Sequence, residues 1–189
     1  MDIDIDCSER KDILEIVKHI PASMITGNKL SKHNSGVYFQ NIPVDTESGI
    51  STIPFKTAEE RGWWKMDFLN LHIYKQVKSE QHLIELMNRE IPWDFFLMES
   101  FVVDQELLHF KDHFYVLKQM KPKSVEELAM CLALRLPEKR YLMGRKWEEI
   151  KKEIWIKTET YNFKYSHSLS YAHAVIVHMQ LIIDNLMED

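Results

Sequence analysis

Cysteine is scarce in this sequence: Cys7 and Cys131 are the only two among 189 residues. Two cysteines cannot build a disulfide framework, and this pair does not have the spacing of a zinc site. No apolar run approaches the ~20 residues of a membrane-spanning helix, and the first residues are acidic, unlike a secretory signal peptide. The sequence therefore predicts a reducing, cytoplasmic setting and no membrane partner.

Internal repeats and low-complexity tracts are also lacking, which excludes solenoid and fibrous architectures. Hydrophobic residues make up 45% of the chain and charged residues 28%, which is typical of a globular protein. The formal net charge is −5, which argues against a nucleic-acid binder unless the positive charge is concentrated in one region.

The pattern of apolar residues changes along the chain. The stretches MDIDIDC and WWKMDF have the character of strands, and VDTESG joins two further apolar runs, GVYFQNIP and ISTIPF, as in a hairpin. The stretch from Asn28 to Gly36 is polar and is predicted as a connection. From Leu69 onward, apolar residues recur mostly at helical spacing. We therefore predict an α+β fold, with a small antiparallel sheet and flanking helices in residues 1–68 and a helical region in residues 69–189.

Aspartates occupy alternate positions of the first predicted strand, at Asp2, Asp4 and Asp6. Residues i and i+2 of a strand point to the same face, so this row of carboxylates must be solvated, partly protonated or neutralised by something positive. Asp67 lies on the predicted WWKMDF strand, and Lys65 lies two residues before it on the same face. Asp4, Asp6 and Asp67 could converge on two metal ions ~3.5–4 Å apart, the spacing used for phosphoryl transfer. A lysine beside such a site would contact phosphate oxygens.

A simpler explanation remains open for the same residues. The first strand could be a solvated edge strand at the end of the chain, and Asp67 could cap the helix that follows it. Spacing alone does not decide between these interpretations.

Five segments of the chain resemble, in the same order, segments of the alpha subunit of bacterial DNA polymerase III, a C-family replicative polymerase. MDIDIDC with the helix after it resembles PDIDIDF of the palm, and SKHNSGVYFQNIPVD resembles the SVHAAGVVI stretch. EERGWWKMDFLNL is similar to E-x-x-G-L-L-K-x-D-F-L-G-L. KPKSVEELAMCLALRLP resembles KPxSxEDLIALxALYRPGP of the fingers, and YNFKYSHSLSYAHA resembles YGFNKSHAAAYA.

The resemblance implies roles for particular residues. Asp4, Asp6 and Asp67 correspond to the three catalytic aspartates that bind two Mg²⁺ ions (Mn²⁺ could replace them), and Lys65 corresponds to the lysine that faces the incoming triphosphate. The remaining implied substrate-binding residues are Ser166 and His167, which match the SH pair of the fingers, and Arg135, which lies one position from the arginine of RPGP.

Basic residues are concentrated between positions 118 and 146. Eight cations there outnumber the acids Glu126, Glu127 and Glu138, and this local excess could contact a DNA backbone. A solvated helical surface is the alternative. The eight cations are Lys118, Lys121, Lys123, Arg135, Lys139, Arg140, Arg145 and Lys146, of which we predict Lys139, Arg140, Arg145 and Lys146 as DNA-binding.

Most histidines show no metal-ligand spacing, and packing or surface positions are the better interpretation for them. They are His33, His72, His82, His109, His113, His173 and His178.

The sequence thus predicts the catalytic core of a compact or split C-family DNA polymerase, acting on primer–template DNA and dNTPs. The family's Gly-Ser phosphate-binding segment has no counterpart here, so a second polypeptide is expected to supply it. The rival prediction is a polymerase-derived subunit that binds DNA or a replication protein without catalysis.

Overall fold

The structure, a computed structural model, describes residues 3–157 and 164–188. Asp2, the first aspartate of the acidic row, and Tyr161 to Phe163 of the YNFKYSH segment lie outside these ranges. The chain divides into two compact units, one up to Val77 and one from Lys78. The predicted boundary at residues 68/69 falls inside a strand of the first unit. The strands are β1 (Ile3–Cys7), β2 (Ile20–Thr26), β3 (Lys29–Tyr38) and β4 (Met66–Asn70).

The first unit is built on a four-stranded sheet in the order β1-β4-β3-β2. The prediction of an α+β fold is confirmed, but the prediction that the sheet is antiparallel is wrong for one pair. β1 and β4 run parallel, whereas β4–β3 and β3–β2 are antiparallel. The sheet is mixed because β4 returns to β1 only after a long crossover that contains two other strands, and parallel pairing requires a connection of that kind.

The two faces of the sheet carry different chemistry, as alternation along a strand requires. One face buries Cys7, Val37 and Phe68, with Ile13 and Leu14 of a short helix packed against them. This apolar face anchors β1 and β4. The aspartates project from the opposite face.

Residues 28–36 do not form the predicted polar connection, since most of them belong to β3. The strand pairs with β2 along most of its length despite its polar composition. The hairpin predicted around VDTESG does not form as two paired strands. Only an isolated bridge between Val44 and Ser51 joins the two apolar runs.

The helices of the first unit are short and lie between its strands. Pro54 precedes the second of them, and Gly62 follows it with φ +93°, a left-handed conformation that glycine adopts without strain. These helices are α1 (Arg10–Ile16) and α2 (Phe55–Glu60).

The second unit is helical, as predicted, and one central helix is almost entirely buried. All residues of this helix from Leu128 to Leu134 are buried. Ser124 caps it by accepting a hydrogen bond from the Glu127 N–H. The helices are α3 (Glu80–Asn88), α4 (Phe114–Met120), α5 (Val125–Leu134, the central one), α6 (Trp147–Glu153) and α7 (Tyr165–Glu188).

Within residues 3–157 and 164–188, no helix combines the length and the apolar character needed to cross a membrane.

Candidate active site

Asp4, Asp6 and Asp67 share one face of the sheet. Asp4 and Asp67 are register partners on the neighbouring parallel strands β1 and β4, which places their Cα atoms about 4.8 Å apart. Asp6 lies two residues farther along β1 and points the same way as Asp4. The sequence predicted that Asp67 joins the other two carboxylates from a neighbouring strand, and the strand register agrees with that prediction.

The alternative interpretation placed Asp67 at the cap of a helix, and the structure does not. Asp67 lies within β4, and only 8% of the residue is exposed. Its two carboxylate oxygens have different partners: the Ser35 hydroxyl donates to Oδ1 at 2.6 Å, and the Lys65 ammonium donates to Oδ2. A buried carboxylate requires partners of this kind because desolvation strongly disfavours an isolated charge.

His33 organises the end of β3 beside Asp67. Its Nδ1 accepts the backbone N–H groups of Ser35 (3.3 Å) and Gly36 (3.0 Å) and lies 3.7 Å from Asp67 Oδ1. Burial, followed by the nearby charge of Lys65, lowers the pKa of His33, which keeps the imidazole neutral and able to accept these bonds. His33 therefore fixes the backbone that presents Ser35 to Asp67.

Gly36 is required where the Lys65 side chain crosses β3. Gly36 is the register partner of Asp67, and a Cβ there would lie 2.9 Å from Lys65 Cδ and 3.1 Å from His33 Nδ1. The Phe55 ring completes the enclosure: its centroid is 5.5 Å from the Lys65 ammonium, and it meets the His33 ring edge-on at 5.0 Å. Lys65 is thus held against Asp67 by the shape of the surrounding residues as well as by charge.

The sequence interpretation assigned no role in the site to Ser35, His33 or Phe55. The signal for His33 was present, since SKHNSG matches the histidine and glycine of the family's SVHAAG. The signal for Ser35 and Phe55 was absent, because only the folded sheet brings β3 and α2 next to Asp67.

Asp6 lies near Tyr74, which follows β4. Burial, and then the negative charge of Asp6, raise the pKa of Tyr74, in the 3₁₀ turn at His72–Gln76. The turn after β1 is tied to β4 as well: the Asn70 side chain donates to Glu9 at 3.2 Å and accepts the Arg10 N–H at 2.7 Å. These bonds fix the end of β1 that carries Asp6.

The donor chemistry of this face suits Mg²⁺ or Mn²⁺, which prefer carboxylate oxygens. The strand register supplies three carboxylates on one face, which is the arrangement that such a site requires. No group of three or more acidic, histidine or cysteine side chains is arranged as a metal site within the described part of the chain. One physical reason for this is that both oxygens of Asp67 already accept hydrogen bonds, from Lys65 and Ser35.

The predicted substrate-binding residues of the fingers lie in the helical unit. Ser166 is exposed and His167 half-buried in the first turn of α7. Arg135, at the end of α5, donates to the carbonyls of Leu132 (3.1 Å) and His109 (2.8 Å). Its guanidinium therefore closes the end of α5, a structural contact that accounts for its position.

The predicted DNA-binding residues have different surroundings. Lys139 is only 6% exposed and donates to the backbone carbonyls of Ile156 (2.7 Å) and Glu153 (3.3 Å). Arg140 and Arg145 are exposed but bonded, to the Arg135 carbonyl and the Glu153 carboxylate, respectively. Lys146 is exposed immediately before α6. Arg140, Arg145 and Lys146 are thus exposed to solvent, whereas Lys139 supports the end of α6.

We expect Lys139→Met to lower the free energy of unfolding by about 1–3 kcal/mol, because it removes the charged donor of the Glu153 and Ile156 carbonyls. Lys146→Met, the matched exposed control, should change stability by less than about 0.5 kcal/mol but should reduce the salt slope of DNA binding by about 0.9. Urea unfolding and DNA titrations at several salt concentrations measure both effects. Equal stability losses in the two variants would contradict the role given to Lys139.

Comparisons of the chain with protein-family models, with curated protein sequences and with solved structures gave no match.

Proposed function

We propose that this chain is the palm and part of the fingers of a C-family DNA polymerase, and that it carries out template-directed nucleotidyl transfer. The observation that carries the proposal is the register of β1 and β4. It sets Asp4 beside Asp67 on a face that also carries Asp6 and Lys65. The ordered resemblance of five segments to that family supports the same proposal.

In the proposed site, Asp4, Asp6 and Asp67 hold two divalent metal ions, Mg²⁺ or Mn²⁺. Bound there, such ions would lower the pKa of the primer 3′-hydroxyl and neutralise the charge that develops on the leaving pyrophosphate. Lys65 contributes a point charge to the incoming triphosphate. Ser35 and His33 position Asp67 by fixing its Oδ1 and the adjacent β3 backbone.

The helical unit would contact the nucleic acid through its exposed cations. Lys146 and Arg140 are exposed, and neutralising DNA phosphates releases counterions, which drives binding even for a protein of net negative charge. Ser166 and His167 remain proposed contacts of the incoming nucleotide, on the strength of the family resemblance.

A non-catalytic, polymerase-derived subunit that binds DNA or a replication protein is the second candidate. Occupation of Asp67 by Lys65 favours it, because a purely structural ion pair would have the same geometry. Retention of two further carboxylates on the same face favours the enzyme, since a structural pair needs neither of them.

The experiment that tests the proposal is primer extension. From the family resemblance, we expect a second polypeptide to carry the Gly-Ser segment, which would supply backbone donors to the triphosphate. Removing one such donor commonly costs ~10²–10³ in rate. We expect little extension by the 189-residue chain alone and Mg²⁺-dependent extension when a chain carrying that segment is added. DNA binding without extension in both conditions would favour the non-catalytic subunit.

A further inference from the structure

The position beside Asp67 that a divalent ion would occupy holds the cation of this chain's own Lys65. The Lys65 ammonium donates to Asp67 Oδ2, and the Ser35 hydroxyl bonds Oδ1 at 2.6 Å. The side chains of Lys65 and Asp67 are 12% and 11% exposed. The pair is therefore largely removed from water. In such surroundings a charge–charge contact is strong, so a further cation that binds Asp67 must compete with the Lys65 ammonium.

Lys65 is also seated by contacts that do not depend on its charge. Its aliphatic chain crosses Gly36 so closely that a Cβ there would lie 2.9 Å from Cδ, and its ammonium lies 5.5 Å from the centroid of the Phe55 ring. These contacts restrict the rotamers that the Lys65 side chain can adopt. The enclosure defines one resting position, with the ammonium on Asp67.

The two roles proposed for this pair compete with each other in that position. Metal binding requires an oxygen of Asp67, and contact with a triphosphate requires the Lys65 ammonium. A divalent ion at Oδ2 and the ammonium at the same atom would also repel each other strongly at such short range.

We infer that Lys65 is a resident counterion that exchanges with the divalent metal ion on Asp67, and that the triphosphate of the incoming nucleotide drives the exchange by offering the ammonium a stronger anionic partner. This inference rests on the proposed function. In the nucleotide-free protein Lys65 neutralises the buried carboxylate. When a nucleotide arrives, Lys65 moves to the phosphates and leaves Oδ2 to the metal ion, so that the site loads its metal only when substrate is present.

The test is Mn²⁺ binding, measured by water-proton relaxation without DNA or catalysis. Lys65→Met should bind Mn²⁺ at least about 10-fold more tightly than the wild type in the absence of nucleotide, because it removes a competing cation. The exchange-inert, diamagnetic complex Rh(III)·dATP supplies a triphosphate without a free metal ion. It should tighten Mn²⁺ binding to the wild type by a similar factor and have little effect on Lys65→Met, since linked equilibria share one coupling free energy.

Lys75→Met is the matched control, because Lys75 pairs with Glu9 at 3.3 Å in the same unit and its loss changes the net charge equally. Its Mn²⁺ affinity should equal that of the wild type. Lys65→Gln is the second variant if Lys65→Met folds poorly, since an amide can still donate to Asp67 but carries no charge.

Each outcome is informative about a different claim. If Lys65→Met and Lys65→Gln bind Mn²⁺ with wild-type affinity, and Asp67→Asn abolishes that binding, the exchange is wrong although the metal site stands. If neither the wild type nor the Lys65 variants bind Mn²⁺ at Asp67, both the exchange and the proposed metal site are overturned.

Discussion

Replacing Asp6 with asparagine is expected to lower the rate of primer extension by the proposed two-polypeptide polymerase at least about 10²-fold. The substitution keeps the size of the side chain but removes one of three negative charges from the acidic face of β1 and β4. A metal ion held by fewer carboxylates stabilises the developing charge of the transition state less well, and losing a single fixed electrostatic partner commonly has an effect of this size. Single-turnover extension at saturating nucleotide measures the chemical step.

Asp6 is more informative than Asp67 for this purpose. Asp67→Asn would leave the buried Lys65 ammonium without its carboxylate and would destabilise the protein by itself. Asp12→Asn is the matched control, because Asp12 lies exposed on α1 and its loss changes the net charge equally. Equal extension rates for Asp6→Asn, Asp12→Asn and the wild type would remove Asp6 from the catalytic site.

Acid should destabilise the helical unit through His109. Its side chain lies edge-on against Tyr171, with ring centroids 4.9 Å apart, and its Nε2 is buried without a hydrogen-bond partner among the described residues. Burial, reinforced by the charges of Arg135 and His113, lowers the pKa of His109 to about 4. A histidine in the unfolded chain has a pKa near 6.5. Between pH ~6.5 and 4, His109 is therefore protonated in the unfolded chain but neutral in the folded unit.

The sign follows from this difference in proton uptake. The contribution of His109 is fully present above pH ~6.5 and is lost as the pH falls toward 4, so the free energy of unfolding should decrease by up to about 3 kcal/mol over that interval. The pKa values of His113 and His178 are also lowered, chiefly by burial, and act in the same direction.

Urea unfolding at a series of pH values measures this dependence. His109→Asn should flatten it, since asparagine does not titrate and tolerates the left-handed backbone at this position (φ 65°). His72→Asn, the same replacement at an exposed histidine, is the matched control. A slope unchanged by His109→Asn would show that His109 is not the group that resists protonation.

Alternation was sufficient to predict that the aspartates of each acidic strand lie on one face. Asp4, Asp6 and Asp67 occupy one face because a period of two allows nothing else once Val37 and Phe68 are buried on the other. The parallel pairing of β1 and β4 could not be predicted in the same way. Parallel strands are joined by a long crossover connection, and the spacing of residues within each strand does not indicate which two strands will pair.

The polar strand β3 shows a second limit of sequence interpretation. From Lys29 to Ser35 it has no fully buried residue, so the apolar alternation that marks most strands is missing. Its pairing with β2 and β4, and not its own composition, makes it a strand. Ser35 reaches Asp67 for the same reason, and the sequence alone gave no indication of that contact.

Charge counting was the least reliable guide in the helical unit. Eight cations between positions 118 and 146 are equivalent in a sequence, but the structure separates them by burial. Lys139 donates to backbone carbonyls at the end of α6, whereas Lys146 is exposed before the same helix. Only the fold distinguishes a cation that supports a helix from one that is free to meet a phosphate.

The most direct test of the central claim, that Asp4, Asp6 and Asp67 form a two-metal site, is electron paramagnetic resonance of Mn²⁺ bound to the reconstituted complex with primer–template DNA and a non-hydrolysable dNTP. Two Mn²⁺ ions ~3.5–4 Å apart are expected, and their spin coupling would give a spectrum distinct from that of isolated ions. Asp6→Asn should remove the coupling. A spectrum of isolated Mn²⁺ ions only, the same in the wild type and in Asp6→Asn, would contradict the account.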